Sequence, residues 1–298
     1  MPDDELYARA VMRHTDQVLA LFVGERLINK IFGRVMQSHA MGRLVIAHFD
    51  WKAGVGPRPT LRWLQTQTGC GRTLAAFVGV AKVARLLSVE LNPMDRREKF
   101  LVPGPRVVDG LRDWLVHHLV LAEMLDVMPP GCADNLQTDQ SYFERYVRAS
   151  LLVIEGIAQR RDAFPRWQWF EDHECGLRIA YAFLRAHCQG CLEAGSPVDA
   201  PVPLELTGGA VAQMLGLSKS HVRNVLNGAE RLGILSHDGN RRGIRLSAPF
   251  LVEARASFMH LLDLMRQAHE RAVRLPQAPD RPARTRYRSQ EWSSSARL

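Results

Sequence analysis

The sequence predicts a mainly α-helical protein that carries two small β-hairpins and consists of two similar halves. Three observations support this fold class. Apolar residues recur at helical spacing along most of the chain. The stretches 59–105 and 206–249 share one order of helix, turn, helix and hairpin, and their apolar positions coincide at a constant offset, so that Leu74 falls on Val222 and Ala81 on Ala229. Each stretch then leads into a long segment with an apolar stripe.

The stretch 206–249 shows the pattern most clearly, because each boundary has a residue type that favours it. Thr207 and Ser218 can cap helices, Gly216 suits a turn with positive φ, and Gly233 can end the second helix. We therefore expect helices over 208–215 and 219–232 and strands over 234–236 and 244–246. This order is typical of a helix-turn-helix followed by a β-wing.

The second helix of this stretch has one apolar and one polar face, which suits an element that reads the DNA major groove. Arginine matches guanine, asparagine matches adenine, and lysine or serine can hold phosphates. The residues predicted to contact DNA here are Ser218, Lys219, Ser220, His221, Arg223, Asn224 and Asn227. The basic tip of the hairpin adds Arg241 and Arg242.

The corresponding helix of the first stretch has a different outer face, which is small and mostly apolar. Arg72 and Thr73 can hold a phosphate or a base at the start of the helix, and Arg96 and Arg97 lie in the hairpin. The alanines that follow can meet thymine methyls but cannot hydrogen-bond bases. We expect an asymmetric DNA site in which the second helix carries more sequence information. A contact with protein is the alternative for this first helix.

The repeat divides the chain into two halves. Upstream of the first stretch, we expect helical stretches over 6–22, 24–37 and 41–51. Two further helices, 106–125 and 250–272, follow the two hairpins, and 142–159 corresponds to the first helix of the chain. The predicted organisation is a first winged domain over 1–125, a linker over 126–140, a second winged domain over 141–272, and a basic, disordered tail over 273–298.

Composition narrows the function classes. The net charge of +8 at pH 7 indicates an anionic partner. No apolar run has the length of a transmembrane helix, and the acidic start of the chain differs from a signal peptide. Five scattered cysteines are typical of a reducing compartment. We therefore expect a cytoplasmic, nucleoid-associated protein with no membrane partner.

The sequence contains no signature of an enzyme. It has no Gly-rich phosphate loop, no HExxH and no G-x-S-x-G element, so we predict neither catalysis nor a cofactor or metal. Cys188 and Cys191 with His187 have the spacing of metal ligands, but a second such pair is missing, and buried thiols are the simpler interpretation. A redox role stays open. The segment with Trp167 and Trp169 is expected in the core or at an interface, with a ligand pocket as the alternative.

The order of helices, turn, recognition helix, wing and closing helix resembles the MarR family of bacterial transcription regulators. In that family the wing often carries an Asp-x-Arg element, which Asp95-Arg96-Arg97 matches and the hairpin from Asp238 matches loosely. The family normally forms homodimers through its N- and C-terminal helices. The resemblance implies an internal pseudo-dimer in which the helices over 6–22, 106–125, 142–159 and 250–272 pack together.

The expected function is that of a transcription regulator that binds double-stranded DNA sequence-specifically through two winged helices in one chain. RNA polymerase or another regulator is a candidate further partner. We expect a monomer, and a homodimer stays open. Two alternatives remain at this point: a plasmid- or phage-type replication initiator with tandem winged helices, and a winged-helix interaction module that does not bind DNA.

Overall fold

The computed structural model describes residues 3–69, 71–237 and 243–276. It is mainly helical and, in these ranges, contains two antiparallel two-stranded sheets, which confirms the predicted fold class at this level. The elements up to the middle of the chain are α1 (Asp4–Ala20), α2 (Arg26–Ile31), α3 (Val35–Lys52), α4 (Leu61–Thr68), α5 (Arg72–Val83), β1 (Leu87–Leu91), β2 (Lys99–Pro103) and α6 (Pro105–Met124). They are followed by α7 (Cys132–Thr138), α8 (Gln140–Ala149), α9 (Leu151–Gln159), α10 (Pro165–Asp172), α11 (Gly176–Ala194), α12 (Gly208–Leu215), α13 (Lys219–Arg231), β3 (Leu235–His237), β4 (Ile244–Leu246) and α14 (Ala248–Arg274).

Two regions, which we name the first head (60–103) and the second head (204–246), repeat the order of two helices and a hairpin. Their helices begin in the same way. The Thr60 hydroxyl accepts a hydrogen bond from the third residue of α4, and the Thr207 hydroxyl accepts one from the Ala210 amide. Gly69 and Gly216 then turn the chain in the left-handed region, at φ 67° and 65°. The predicted roles of Thr207 and Gly216 are confirmed.

The two hairpins also share a feature, because one bridge joins each of them to the first residue of its head. Thr60 pairs with Phe100, and Leu204 pairs with Ile244. The prediction that a strand covers 234–236 is wrong by one residue, because the Ile234 amide still donates to the Ala229 carbonyl of α13, 2.9 Å away. The tip of the second hairpin lies outside the described residues.

The remaining helices form a body in which the two halves pack reciprocally. Helix α1 packs on α6 of its own half and on α11 of the other, and α8 packs on α14 of its own half and on α3 of the other. The closing helices α6 and α14 also touch. The predicted helix over 142–159 is interrupted at Ser150, whose hydroxyl donates to the Tyr146 carbonyl four residues earlier at 2.7 Å.

Further predicted boundaries also differ from the structure. The helical stretch over 24–37 stops at Ile31 and resumes at Val35. The predicted linker 126–140 contains α7, whose Leu136 is fully buried and whose backbone carbonyl there accepts a hydrogen bond from Arg112 of α6. Helix α14 continues to Arg274, past the expected start of the tail, and residues 277–298 lie outside the described part.

Candidate nucleic-acid interface

The polar face of α13 is exposed as the sequence predicts. Its opposite face buries Val222, Val225, Leu226 and Ala229 in the core of the second head. Of the predicted contact residues, Ser218, Lys219, Ser220, Arg223, Asn224 and Asn227 are exposed. Within the described ranges, no side-chain hydrogen bond or ion pair engages Lys219, Arg223, Asn224 or Asn227. Their donors and acceptors are therefore available to a ligand.

Ser218 begins α13 and has a structural task of its own. Its hydroxyl oxygen accepts a hydrogen bond from the His221 amide at 3.1 Å and lies 3.1 Å from the Ser220 hydroxyl. This is the N-cap that the sequence predicts, and it satisfies one of the free amides at the helix start. The free amides of the first turn also make the start of α13 favourable for an anion.

His221 differs from its prediction, because its ring is turned toward the body of the protein. The ring Nε2 lies 2.8 Å from the Glu174 backbone carbonyl between α10 and α11. Trp169 of α10 packs against Gly228 on the same helix, so closely that a Cβ on this glycine would lie 2.3 Å from the ring. Helix α13 is thus attached to the body at two points, and His221 positions the helix.

Helix α5 of the first head buries its inner face and presents an outer face of small residues. The inner residues Leu74, Phe77, Val78 and Ala81 are buried. Arg72 and Thr73 are exposed at the start of α5, as predicted for phosphate or base contacts. Farther along, Val80 and Val83 expose 50% and 88% of their surface. Between Thr73 and Val80, the exposed residues of this helix carry no hydrogen-bonding side chain.

The tip of the first hairpin presents two arginines on an ordered turn. The Asp95 carboxylate accepts a hydrogen bond from the Arg97 amide at 2.9 Å, and its carbonyl accepts one from the Glu98 amide at 3.0 Å. The Arg96 and Arg97 side chains are exposed. Asp95 therefore shapes the turn that carries the two guanidinium groups. Arg241 and Arg242, the predicted counterparts in the second hairpin, lie outside the described residues.

A cavity of about 720 Å³ lies between the halves, in the size range of small-molecule sites. Its wall is largely apolar and includes Val45, Trp114 and Trp167. Polar groups enter it at a buried ion pair, in which the Arg160 guanidinium donates to Glu171 at 2.9 Å. Burial raises the pKa of the Glu171 carboxyl, against the lowering effect of Arg160. The alternative that the segment with Trp167 lines a ligand pocket therefore has a cavity to which it can refer.

The cysteine pair of α11 is buried. Burial raises the pKa of Cys188 to about 12 and that of Cys191 to about 11, which disfavours the reactive thiolate. The Cys191 sulfur lies 3.4 Å from His187 Nε2. Across the described residues, no cluster of three or more His, Cys, Asp or Glu side chains could hold a metal ion. The burial of both sulfurs agrees with the interpretation of these groups as buried thiols.

No helix in the described part of the chain combines the length and apolar character that crossing a membrane requires. No family model, curated protein or solved structure matches the chain.

Proposed function

We propose that this protein binds double-stranded DNA sequence-specifically through two winged helix-turn-helix heads and regulates transcription. The observation that carries the proposal is the face of α13, where six predicted contact residues are exposed on a helix held firmly from behind. Arginine and asparagine side chains at successive turns can form bidentate contacts with guanine and adenine in the major groove. A net charge of +8 favours approach to DNA.

The reciprocal packing of the body supports an internally duplicated, pseudo-dimeric arrangement of the MarR type. In a symmetric dimer, a contact from one subunit to the other occurs twice. Here α1 contacts α11 and α8 contacts α3, while α6 and α14 contact each other. This pattern fits two copies of one unit that are joined in a single chain.

The experiment is in vitro selection of DNA sites, followed by binding measurements with Arg223→Ala. A lost bidentate contact removes about 1–3 kcal/mol of discrimination, so selectivity should fall about 5- to 150-fold at one base pair while the other positions keep theirs. Arg13→Ala removes the same charge from an exposed position of α1 and is the matched control. Unchanged affinity and selectivity of Arg223→Ala would refute this assignment. Mapping bound sites in cells then separates promoters from the repeated origin sites of a replication initiator.

A second proposed function is ligand-controlled binding, which the cavity supports. Its size and its largely apolar wall fit an apolar small molecule, and the Arg160 and Glu171 charges within it are paired with each other. Gly110 lines this cavity, and a Cβ there meets nothing within 4 Å, so Gly110→Leu should fill part of it. The neutral dye Nile red should bind the natural chain with blue-shifted emission and bind Gly110→Leu more weakly. Equal emission with both proteins, or none with either, would contradict a ligand site.

A further inference from the structure

The segment 26–33, which we name the spacer, contacts both heads at once. On one side the ring of Phe32 packs edge-on against Phe77 of α5, with ring centroids 6.0 Å apart. On the other side the Asn29 amide nitrogen donates to the Leu215 carbonyl at the end of α12, 3.3 Å away. The spacer thus joins the helix that presents the first outer face to the turn that precedes α13.

Asn29 lies in the short helix α2, where its side chain is buried and hydrogen-bonded. It exposes only 4% of its surface, and its amide nitrogen also donates to the Phe22 carbonyl at 2.8 Å. The two donors of this side chain are therefore used on two carbonyls, one in each half of the chain. Because a buried donor that loses its partner is costly, the pair of contacts favours one relative position of the spacer and the second head.

A second connection runs from the spacer to α13 through the start of α11. The Cys175 amide donates to the Gly33 carbonyl at 2.6 Å, and the Arg178 guanidinium donates to the Phe32 carbonyl at 2.8 Å. Glu174, next to Cys175, accepts the contact from His221 of α13. Few residues therefore separate the spacer from either outer face.

We propose that the spacer fixes the separation of α5 and α13, with Asn29 as its positioning residue, and that it thereby sets the spacing between the two halves of the DNA site. The DNA part rests on the proposed function above, whereas the fixed separation does not. Two helices that enter successive major grooves must match the helical repeat of DNA, so a fixed separation selects one spacing of the half-sites.

The first test measures the distance between the heads without DNA. Spin labels are attached through an unnatural amino acid at Ala76 and Asn227, so that the native thiols stay unchanged, and distances are read by pulsed electron resonance. The natural chain should give one narrow distribution. Asn29→Asp keeps the volume but replaces the donating amide nitrogen with an oxygen that faces two carbonyls, and it should broaden the distribution. Tyr142→Phe, which removes a hydrogen bond to His269 in the body, is the control and should leave it narrow.

The variant Phe32→Leu covers the case in which Asn29→Asp does not fold. It loosens the contact to Phe77 only and should broaden the same distribution. If both variants fold and keep the narrow distribution of the natural chain, the spacer does not set the separation.

The second test uses a library of DNA sites whose half-sites differ only in spacing. The natural chain should prefer one spacing, and Asn29→Asp should lose about tenfold of that preference, the effect of one buried hydrogen bond. If the distances broaden but the natural chain binds no DNA, the proposed function fails and the spacer stands. If the natural chain binds DNA and Asn29→Asp keeps both the narrow distance and the single spacing, the spacer fails and the proposed function stands.

Discussion

The two heads share their helix caps, turns and buried faces but differ in the residues on the outer face of the second helix. Both begin with a threonine cap, both turn at a left-handed glycine, and both bury one apolar face of the second helix. On the outer faces, Ala76 and Val80 of α5 contrast with Arg223 and Asn227 of α13. The residues that fold such a helix and those proposed to contact DNA lie on opposite faces, so one face can change while the other is kept.

The helix pairs behind the heads differ as well. Where α1 meets α6 in the first half, His14 and His118 stack edge-on with ring centroids 4.4 Å apart. Where α8 meets α14 in the second half, the Tyr142 hydroxyl lies 2.6 Å from His269, and Tyr146 donates to the Met265 carbonyl. At corresponding places, the first half therefore buries two histidine rings, and the second half buries two tyrosines whose hydroxyls are hydrogen-bonded.

The largest effect we expect is acid destabilisation by buried histidines, of which His14 and His118 form a pair in the first half. Burial lowers the pKa of His14 to about 4 and that of His118 well below its usual range. Because the folded pKa lies below the unfolded value of 6.5, the stability that these neutral rings contribute is complete above pH 6.5 and is lost as the pH falls below it. His14 alone should cost about 1.4 kcal/mol per pH unit between pH 6.5 and its folded pKa, and His118 acts in the same direction.

Urea unfolding between pH 7.5 and 5 measures this slope. His14→Phe should make it shallower by about 1.4 kcal/mol per pH unit, because a phenyl ring can occupy the site among Tyr181 and Phe258 without titrating. Tyr146→Phe removes a hydroxyl that donates to a backbone carbonyl in the second half and should leave the slope as it is. An equally steep slope in His14→Phe would show that the pH dependence does not come from this pair.

The next effect compares how tightly α13 and α5 pack against their surroundings, as tested at one glycine in each helix. A Cβ on Gly228 of α13 would lie 2.3 Å from Trp169, whereas a Cβ on Gly79 of α5 meets nothing within 4 Å. Gly228→Ala should therefore destabilise the protein by about 1–3 kcal/mol through overpacking. Gly79→Ala should stabilise it by about 0.5–1 kcal/mol, because alanine is the better helix former. Changes in the unfolding free energy that have opposite signs would support the view that α13 packs tightly against the body at Gly228 and that α5 does not at Gly79. Changes of the same sign would contradict it.

The parts of the fold that the sequence predicts well are local. The start of α12, the turn at Gly216 and the cap at Ser218 depend on neighbouring residues and on backbone preferences, and the structure confirms them. The buried face of α13 follows from helical spacing in the same way. The outer face of a helix is what remains, so most of the candidate DNA-contact residues follow from the same pattern.

The parts that the sequence does not predict depend on distant partners. The segment 126–140 has the composition of a linker, and its helix α7 is recognisable only once Leu136 has a core to enter. His221 has the spacing of an outer-face residue, but its partner Glu174 lies 47 positions earlier in the chain. Asn29 carries no signal at all, because its partner Leu215 lies 186 positions away.

The smallest effect we expect concerns the caps of the two outer-face helices. Ser218 has ψ 140°, which suits a side-chain cap, whereas Gly71 at the start of α5 has ψ −82° and no side chain to cap with. Ser218→Ala should cost about 1 kcal/mol of unfolding free energy. Gly71→Ser should raise the unfolding free energy by no more than about 0.3 kcal/mol, because the backbone at Gly71 does not have the capping geometry.

A third substitution at these caps distinguishes an effect on stability from an effect on DNA binding. Ser218→Asp keeps a good capping residue and places a negative charge where the helix dipole favours it, so stability should stay within about 0.5 kcal/mol of the natural chain. The same charge faces the DNA phosphates in the proposed complex and should weaken DNA binding, whereas Ser218→Ala should weaken it far less. If Ser218→Asp binds DNA as tightly as the natural chain at low salt, the start of α13 does not approach the phosphate backbone. In that case the difference between the caps of the two heads concerns folding alone.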